Sequence, residues 1–201
     1  MALHHSPHIS TDGLILYLDA ANPNGLNGTT FYDLSGNNKH HTIVDNPSFA
    51  TNPPGFVLNG TSQGFSYTGQ ITLSTNCTVI IFYKSSDNTD LWVKGNTTGF
   101  YLAASYPGSG YYSAACGTPS YYIDLNVVLD PLSPINYKDN KYHMWEAKNV
   151  DFSTWTLYEW FLYYAGYQTA GTVSSLLVYD RNLTSDESKQ NYRALKGRFG
   201  L

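Results

Sequence analysis

Few residues in this sequence have the types and spacing that acid–base chemistry requires. Hydrolysis of a glycosidic bond needs two carboxyl groups held about 5–10 Å apart. The 201-residue chain has three glutamates, Glu146, Glu159 and Glu187, and they form no closely spaced motif. His143 lies beside Trp145 in a predicted strand, where we interpret it as a hydrogen-bonded histidine rather than a general base. We therefore predict no catalytic residues and no enzymatic activity.

Tyrosine is the side chain whose distribution favours binding. Five tyrosines lie among Gly, Ser and Pro in the segment 105–125: Tyr106, Tyr111, Tyr112, Tyr121 and Tyr122. A tyrosine offers a large, rigid face and a hydroxyl, which suits both a sugar and a protein interface. The alternative is that alternate tyrosines in strands fill the pleated core and its rim. The sequence leaves glycan contact, protein contact and packing open.

The elements that would position these side chains are predominantly strands. Charged residues make up 13% of the chain and aromatic residues 15%, with 17 Gly and 9 Pro, which is typical of short strands joined by tight turns. We predict an all-β sandwich. The predicted strands lie at 13–20, 31–35, 40–44, 56–60, 77–84, 90–95, 99–105, 121–129, 141–147, 154–164 and 172–180.

One segment, 184–201, is predicted to be helical. Thr184 caps the first turn and Glu187, three residues later, completes a capping box. Gly197 is placed to end the helix. Tyr192 and Leu195 share one face at i, i+3 spacing, so this face is predicted to pack on the sandwich.

Charge and composition limit the classes of partner. The net charge of −4, with no Lys/Arg run, argues against a nucleic-acid surface. We expect no membrane insertion, since no stretch reaches about 18 consecutive apolar residues, and no export by the general secretory route. Cys77 and Cys116 match no zinc motif and are predicted to be buried, inert thiols. Residues 1–11 lack periodicity and are predicted to form an extended arm preceding one domain, 12–201.

Several motifs together resemble one family. The segments DGLILYLDAANPNG (12–25), TTFYDLSGNNKHHTIV (29–44) and SSLLVYDRNLTSDESKQNYRALKGRFGL (174–201) resemble the first strands and the closing strand and helix of laminin G-like jelly-roll domains. These domains belong to the concanavalin A-like lectin/glucanase superfamily and are common in bacteriophage structural proteins. The resemblance covers residues 12–201, but 106–133 and 151–166 depart from the family pattern.

The resemblance implies a concanavalin A-like jelly roll and a non-enzymatic protein of the bacteriophage virion surface. We expect a capsid decoration or cement protein, or a tail-associated adhesin, made in the bacterial host cytoplasm and assembled in many copies with other virion proteins. It would act by protein docking and possible host-surface glycan binding, and the alternative is a free carbohydrate-binding lectin domain. The residues assigned to partner docking are His4, His5, Pro7, His8 and Ile9.

Calcium is the one cofactor that the resemblance suggests, because related sandwiches hold it with Asp, Asn and carbonyl oxygens. The ion takes six to eight oxygen ligands, which Asp19, Asp33 and Asn59 could help to supply from turns. Asp19 and Asp33 have a simpler alternative role as turn residues that accept hydrogen bonds from their own backbone. Both interpretations remain open at this point.

Overall fold

The computed structural model describes residues 8–85, 91–95, 101–106, 110–114, 116–127, 139–161 and 169–201. The chain forms two antiparallel sheets and a short C-terminal helix, so the prediction of an all-β sandwich is confirmed. In chain order the strands are β1 (Leu14–Asp19), β2 (Leu26–Asn27), β3 (Thr30–Phe31), β4 (His41–Val44), β5 (Ser48–Thr51), β6 (Pro54–Asn59), β7 (Gly64–Ile71), β8 (Cys77–Ser85), β9 (Leu91–Gly95), β10 (Tyr101–Tyr106), β11 (Gly110–Ala114), β12 (Ser120–Ile123), β13 (Asn126–Val127), β14 (His143–Val150), β15 (Leu157–Trp160) and β16 (Ala170–Tyr179).

The two sheets are each built around long-range pairings. The first has the order β13-β12-β14-β8-β16-β6-β5, with β1 also paired to β16, and the second has the order β11-β10-β9-β15-β7-β4-β3-β2. Strand β16 pairs with β6 through Ala170–Val173 and with β1 through its C-terminal half. The last long strand therefore binds strands from the beginning of the chain.

Strand β8 has an unbroken run of apolar residues because both of its faces are covered. Val79 and Ile81 point into the space between the sheets, whereas Ile80 and Phe82 point to the other face and pack beneath the C-terminal helix. Successive side chains of a strand alternate between faces, so a strand covered on both faces needs an unbroken apolar run. All four side chains are fully buried.

Aromatic contacts across the core fix how the two sheets face each other. Trp92 of β9 lies 5.5 Å from Trp145 of β14 between ring centroids. Phe56 of β6 lies 5.2 Å from both Phe31 of β3 and Phe65 of β7. Strands β12 and β13 therefore share one side of the sandwich with β10 and β11, and β5 shares the opposite side with β2 and β3.

The C-terminal helix α1 (Ser185–Leu195) begins with the predicted capping box. The Glu187 backbone N–H donates to Thr184 Oγ1 at 3.3 Å, and the Thr184 N–H donates to the Glu187 carboxylate at 2.9 Å. Leu195 is buried against the first sheet. Gly197 does not end the helix in a left-handed conformation, because a 3-10 turn (Lys196–Arg198) continues it and Gly200 adopts the positive φ. No helix in the described ranges is long and apolar enough to cross a bilayer.

Four strands were missed by the sequence prediction. Strands β2, β5, β7 and β11 lie outside the predicted set, and β7 contains Gly64 and Gly69 among polar residues. Its pairing with β4 and β15 supplies the order that local propensity does not. Cys77 and Cys116 are both buried, as predicted, and they form no disulfide with each other. Burial raises the pKa of the Cys77 thiol to about 11.

Candidate functional site

The sandwich has a cleft where the edges of its two sheets face each other. Strands β5 and β6 form one wall, and β2 and β4 with the β2–β3 turn form the other. The cleft has a volume of about 480 Å³. The residues that line it are Leu26, Gly28, Thr29, Ile43, Asp45, Asn46, Pro47, Phe49 and Phe56.

The apolar wall of the cleft carries an exposed aromatic ring. Phe49 is paired with Phe56 across β5 and β6, so both rings point toward the space between the sheets. Phe56 is 5% exposed, whereas Phe49, on the edge strand, is 41% exposed. The two rings meet edge to face with centroids 5.2 Å apart. Phe49 thus presents a fixed aromatic surface at the mouth of the cleft.

The polar rim comes from the connection between the two sheets. Asp45 and Asn46 link β4 to β5 and have φ angles of 53° and 47°, a left-handed conformation that Asp and Asn adopt more readily than most residues. The Gln63 side-chain amide donates to the Asp45 carbonyl at 3.1 Å and holds this turn. Both rim side chains are exposed, so a carboxylate and an amide are available beside Phe49.

The cleft combines the groups that bind small polar ligands with an apolar face. Binding sites for such ligands are concave and mostly apolar, with a few polar groups that fix orientation. Among the described residues that line the cleft, Asp45 is the single carboxylate. The residues that line the cleft could bind such a ligand, but they do not supply the two carboxyl groups that glycoside hydrolysis uses.

The three glutamates lie on different elements. Glu146 of β14 is buried under the helix, where it accepts a hydrogen bond of 2.6 Å from the Ser188 hydroxyl, and burial raises its pKa. Glu159 lies on β15 of the second sheet. Glu187 caps α1 and pairs with Arg181, whose hydrogen bond lowers the Glu187 pKa to about 2.

One short segment fits the spacing of a serine nucleophile motif. Residues 60–64 read Gly-Thr-Ser-Gln-Gly. They join β6 to β7 in a turn held by Asn59, whose side-chain oxygen accepts from the Thr61 backbone at 3.0 Å. A nucleophile elbow joins a strand to a helix, so this segment does not have the required context.

His143 has hydrogen-bond partners on both ring nitrogens. Nδ1 lies 2.7 Å from Asp124 and Nε2 lies 3.2 Å from Asp139, and we call these three residues the His143 clamp. Asp124 and Leu125 form the two-residue turn between β12 and β13, both with positive φ. The hydrogen bond to Asp124 raises the pKa of His143. The clamp fastens this turn to the start of β14.

The five tyrosine positions share the side of the sandwich opposite the cleft. Tyr106, Tyr111 and Tyr112 lie on β10 and β11, and their side chains fall outside the described set. Tyr121 is buried in the core, whereas Tyr122 is half-buried with the Lys148 ammonium 5.1 Å from its ring. Packing therefore accounts for Tyr121, and the contact role of the other tyrosines remains a prediction.

Asp19, one of the three residues assigned to calcium, is fully buried and already has several partners. It accepts hydrogen bonds from the Tyr17 hydroxyl at 2.7 Å, from the Ala21 backbone at 3.0 Å and from Ser175 Oγ at 3.1 Å. It also pairs with Arg198. These contacts extend well beyond the turn role considered from the sequence.

Asp33 and Asn59 have local roles. Asp33 accepts from the backbone N–H groups of Tyr17, Ser35 and Lys39 at 2.9–3.0 Å, and Asn59 holds the β6–β7 turn. Asp33 is buried and Asn59 is exposed. Within the described residues no three His, Cys, Asp or Glu side chains are grouped to hold a metal ion. Calcium binding stays a prediction.

Of the residues assigned to partner docking, His4, His5 and Pro7 lie outside the described residues. The His8 carbonyl accepts from the Gln190 side chain at 2.7 Å, and Ile9 packs partly against the cluster beneath the helix. The next residue, Ser10, is buried, with its N–H bonded to Asn191 at 2.8 Å. The chain is therefore fixed to α1 from His8 onward.

Sequence reasoning did not find the cleft residues. The signal was present in part, since Asp45-Asn46-Pro47 is a turn sequence and Phe49 is a large aromatic residue in the otherwise small and polar run 48–51. Neither feature says which sheet the following strand joins. The pairing of β5 with β6 places Phe49 opposite the edge of the second sheet.

Comparisons with known proteins identify similar folds. No protein-family model matches the sequence, and no curated protein does. Domain 4 of AbnA, a GH43 extracellular arabinanase from Geobacillus stearothermophilus solved in complex with arabinotriose, matches with a TM-score of 0.59 and 16% identity. The match covers 90% of this chain and 98% of that domain.

Two structures of a larger protein also match. Trypanosoma rangeli sialidase in complex with sialic acid has a TM-score of 0.56 and 13% identity over 92% of this chain. A mutant of that sialidase displaying trans-sialidase activity has a TM-score of 0.54 and 14% identity over 96%. This chain spans about a third of each sialidase chain, 33% and 34%. At these identities the likeness shows the fold alone.

Proposed function

We propose that this chain is a non-catalytic binding domain that holds a carbohydrate in the cleft between the sheet edges. The observation that carries the proposal is the Phe49 ring, 41% exposed at the cleft mouth and backed by Phe56. The apolar face of a sugar ring packs on such a surface, while its hydroxyl groups bond to a carboxylate and an amide. Asp45 and Asn46 supply those two groups on the adjoining rim.

The domain-level likeness supports this choice. Domain 4 of the arabinanase is a separate sandwich of nearly the same extent, and its structure contains arabinotriose. The motifs at 12–25, 29–44 and 174–201 favour placing the present chain in the concanavalin A-like superfamily, with a laminin G-like jelly roll. For both reasons we propose that this chain binds an oligosaccharide, and this is the first ligand class to test.

The test compares two exposed apolar residues of neighbouring strands. Phe49→Ala removes the ring in the cleft, and Val57→Ala is the control, because Val57 is 38% exposed on the outer face of β6. Binding to a glycan array, with arabinotriose as the first soluble probe, is followed by titration calorimetry. We expect Phe49→Ala to weaken binding about tenfold or more, which corresponds to about 1.4 kcal/mol, and Val57→Ala to leave it unchanged.

Two results would refute the proposal. One is an array on which the wild-type chain binds no glycan above background. The other is a bound glycan whose affinity falls equally in both variants, or in neither. A substitution of Asp45 to Asn then separates the contribution of the rim charge from that of the ring.

We further propose that the domain is displayed on a bacteriophage virion, as capsid decoration, cement or a tail adhesin, and is made in the host cytoplasm. This rests on the sequence resemblance to virion domains. Many copies would convert weak binding at each cleft into useful avidity. Docking to other virion proteins would involve residues 1–9, of which His8 and Ile9 adjoin α1.

Removal of residues 1–7 distinguishes this location from a free lectin. Because His8 and Ser10 are hydrogen-bonded to α1, we expect the chain shortened to His8 to fold and to keep its glycan affinity. A virion protein should lose attachment to particles. A free lectin should show no particle association in either form, and that result would remove the virion proposal while leaving the cleft proposal intact.

A further inference from the structure

A second cavity, of about 430 Å³, lies where the helix ends beside β1. We call it the arginine groove. Ile9, Ala194 and Leu195 give it apolar walls, and Arg193 and Arg198 give it two guanidinium groups. It shares no lining residue with the cleft.

The groove lies in the basic part of an acidic protein. Residues 184–201 contain four of the chain's 11 Lys and Arg residues but only two of its 15 Asp and Glu residues. Cations near a helix C-terminus also offset its dipole. That explanation applies to Arg193 in the last turn of α1, but Arg198 lies beyond the helix and points to a buried carboxylate instead.

Asp19 fixes the Arg198 guanidinium at the groove. Arg198 Nη1 donates to Asp19 Oδ2, and Asp19 is held in turn by Tyr17 and Ser175. Asp19 is 0% exposed, while the Arg198 side chain is 39% exposed. A guanidinium has five N–H donors in a rigid plane, so the pair with Asp19 leaves donors for a second acceptor. A buried ion pair adds little stability compared with apolar packing, which is consistent with a positioning role.

Arg193 provides a second cation. Among the described residues no carboxylate forms an ion pair with Arg193, whereas Arg181 is committed to Asp12 and Glu187. The side chain of Arg193 is exposed at the groove. With Asp19 neutralising one of the two arginines, the groove keeps one net positive charge, which matches an anion of single charge.

We propose that the arginine groove binds the carboxylate group of a small ligand. The planar guanidinium of Arg198 presents parallel N–H donors to the two carboxylate oxygens, and Arg193 adds a second charge. Ile9, Ala194 and Leu195 offer apolar contacts to the rest of the ligand beside the two guanidinium groups. The site is independent of the glycan cleft, so loss of cleft binding in Phe49→Ala leaves it intact.

The test is an NMR titration of the full ¹⁵N-labelled chain at low ionic strength with acetate, glucuronate and inorganic phosphate. We expect acetate or glucuronate to shift the Arg198 side-chain N–H signal saturably at one site. Arg193→Gln should weaken this binding about tenfold. Lys189→Gln, which removes the same charge one turn earlier on α1, should weaken it less than twofold.

The titrations distinguish an acidic sugar from a simple carboxylate as the ligand, and they include results that would contradict the proposal. Tighter binding of glucuronate than of acetate identifies an acidic sugar as the ligand type, and equal affinities identify the carboxylate alone. Arg198→Lys, which keeps the charge but loses the planar donors, should weaken carboxylate binding while preserving the fold. Equal effects of Arg193→Gln and Lys189→Gln, absence of saturation, or tighter binding of phosphate would overturn the proposal.

Discussion

Replacing Lys148 by Met tests how the C-terminal helix is held to the first sheet. The Lys148 ammonium lies 3.6 Å from the Glu146 carboxylate and donates to the Leu183 carbonyl at 3.0 Å, just before the helix. Glu146 is 1% exposed and also accepts from Ser188 of α1. The two residues of this buried charge pair both belong to β14, and their hydrogen bonds with Leu183 and Ser188 connect the strand to the helix.

The expected cost follows from leaving Glu146 without its cation. Breaking a buried ion pair by removing one partner costs about 3–5 kcal/mol. The hydrogen bond from Ser188 remains and methionine keeps the apolar stem, so we expect Lys148→Met to lower the free energy of unfolding by about 3 kcal/mol. Adding Glu146→Gln should recover about 2 kcal/mol, because the neutral amide needs no counterion.

The pH dependence of the free energy of unfolding is an independent test of the pair between Lys148 and Glu146. Burial raises the pKa of Glu146, so protonation of this carboxylate is less unfavourable in the folded chain than in the unfolded chain. The contribution of Glu146 to the stability of the fold is therefore fully present at pH values below the ordinary glutamate pKa. It is lost as the pH rises through the pKa that Glu146 has in the folded chain. Lys148→Met should raise that value further, and its cost should be smaller at pH 5 than at pH 8.

Urea unfolding followed by tryptophan fluorescence measures these differences, since Trp145 is buried next to Glu146 on β14. Lys189→Met is the matched control, because Lys189 pairs with Asp186 at the surface, and it should change stability by less than about 0.5 kcal/mol. A cost below about 1 kcal/mol for Lys148→Met, or no recovery with Glu146→Gln, would refute the reasoning.

The helix cap and the His143 clamp give two smaller effects. Thr184→Ala should destabilise the fold by about 1 kcal/mol in urea while Thr184→Ser has little effect, and equal stabilities would contradict the role of the cap. Because the hydrogen bond from Asp124 raises the pKa of His143, the charged ring stabilises the fold fully below the ordinary value of about 6.5 and less as the pH rises through the folded-state value. The stability difference between wild type and His143→Asn should therefore shrink from pH 6 to pH 9, and a constant difference would exclude the clamp.

The sequence by itself determined those features whose physical cause is local. The β-branched and aromatic run 77–84 predicted strand β8, and Thr184 with Glu187 predicted the helix start, because both depend on residues within one element. The strands with strong aromatic and β-branched content were predicted for the same reason. Strands β5 and β7 were missed, since their short or polar sequences are ordered by their neighbours in the sheets.

The candidate sites depended on contacts that the sequence pattern does not encode. Phe49 becomes part of a cleft only because β5 joins the first sheet while the preceding strand belongs to the second. Asp19 meets Arg198 across a separation of 179 residues. Periodicity determines which face of a strand is apolar, but the order of strands decides which edges meet and which charges pair. The tertiary structure alone therefore placed the cleft and the arginine groove.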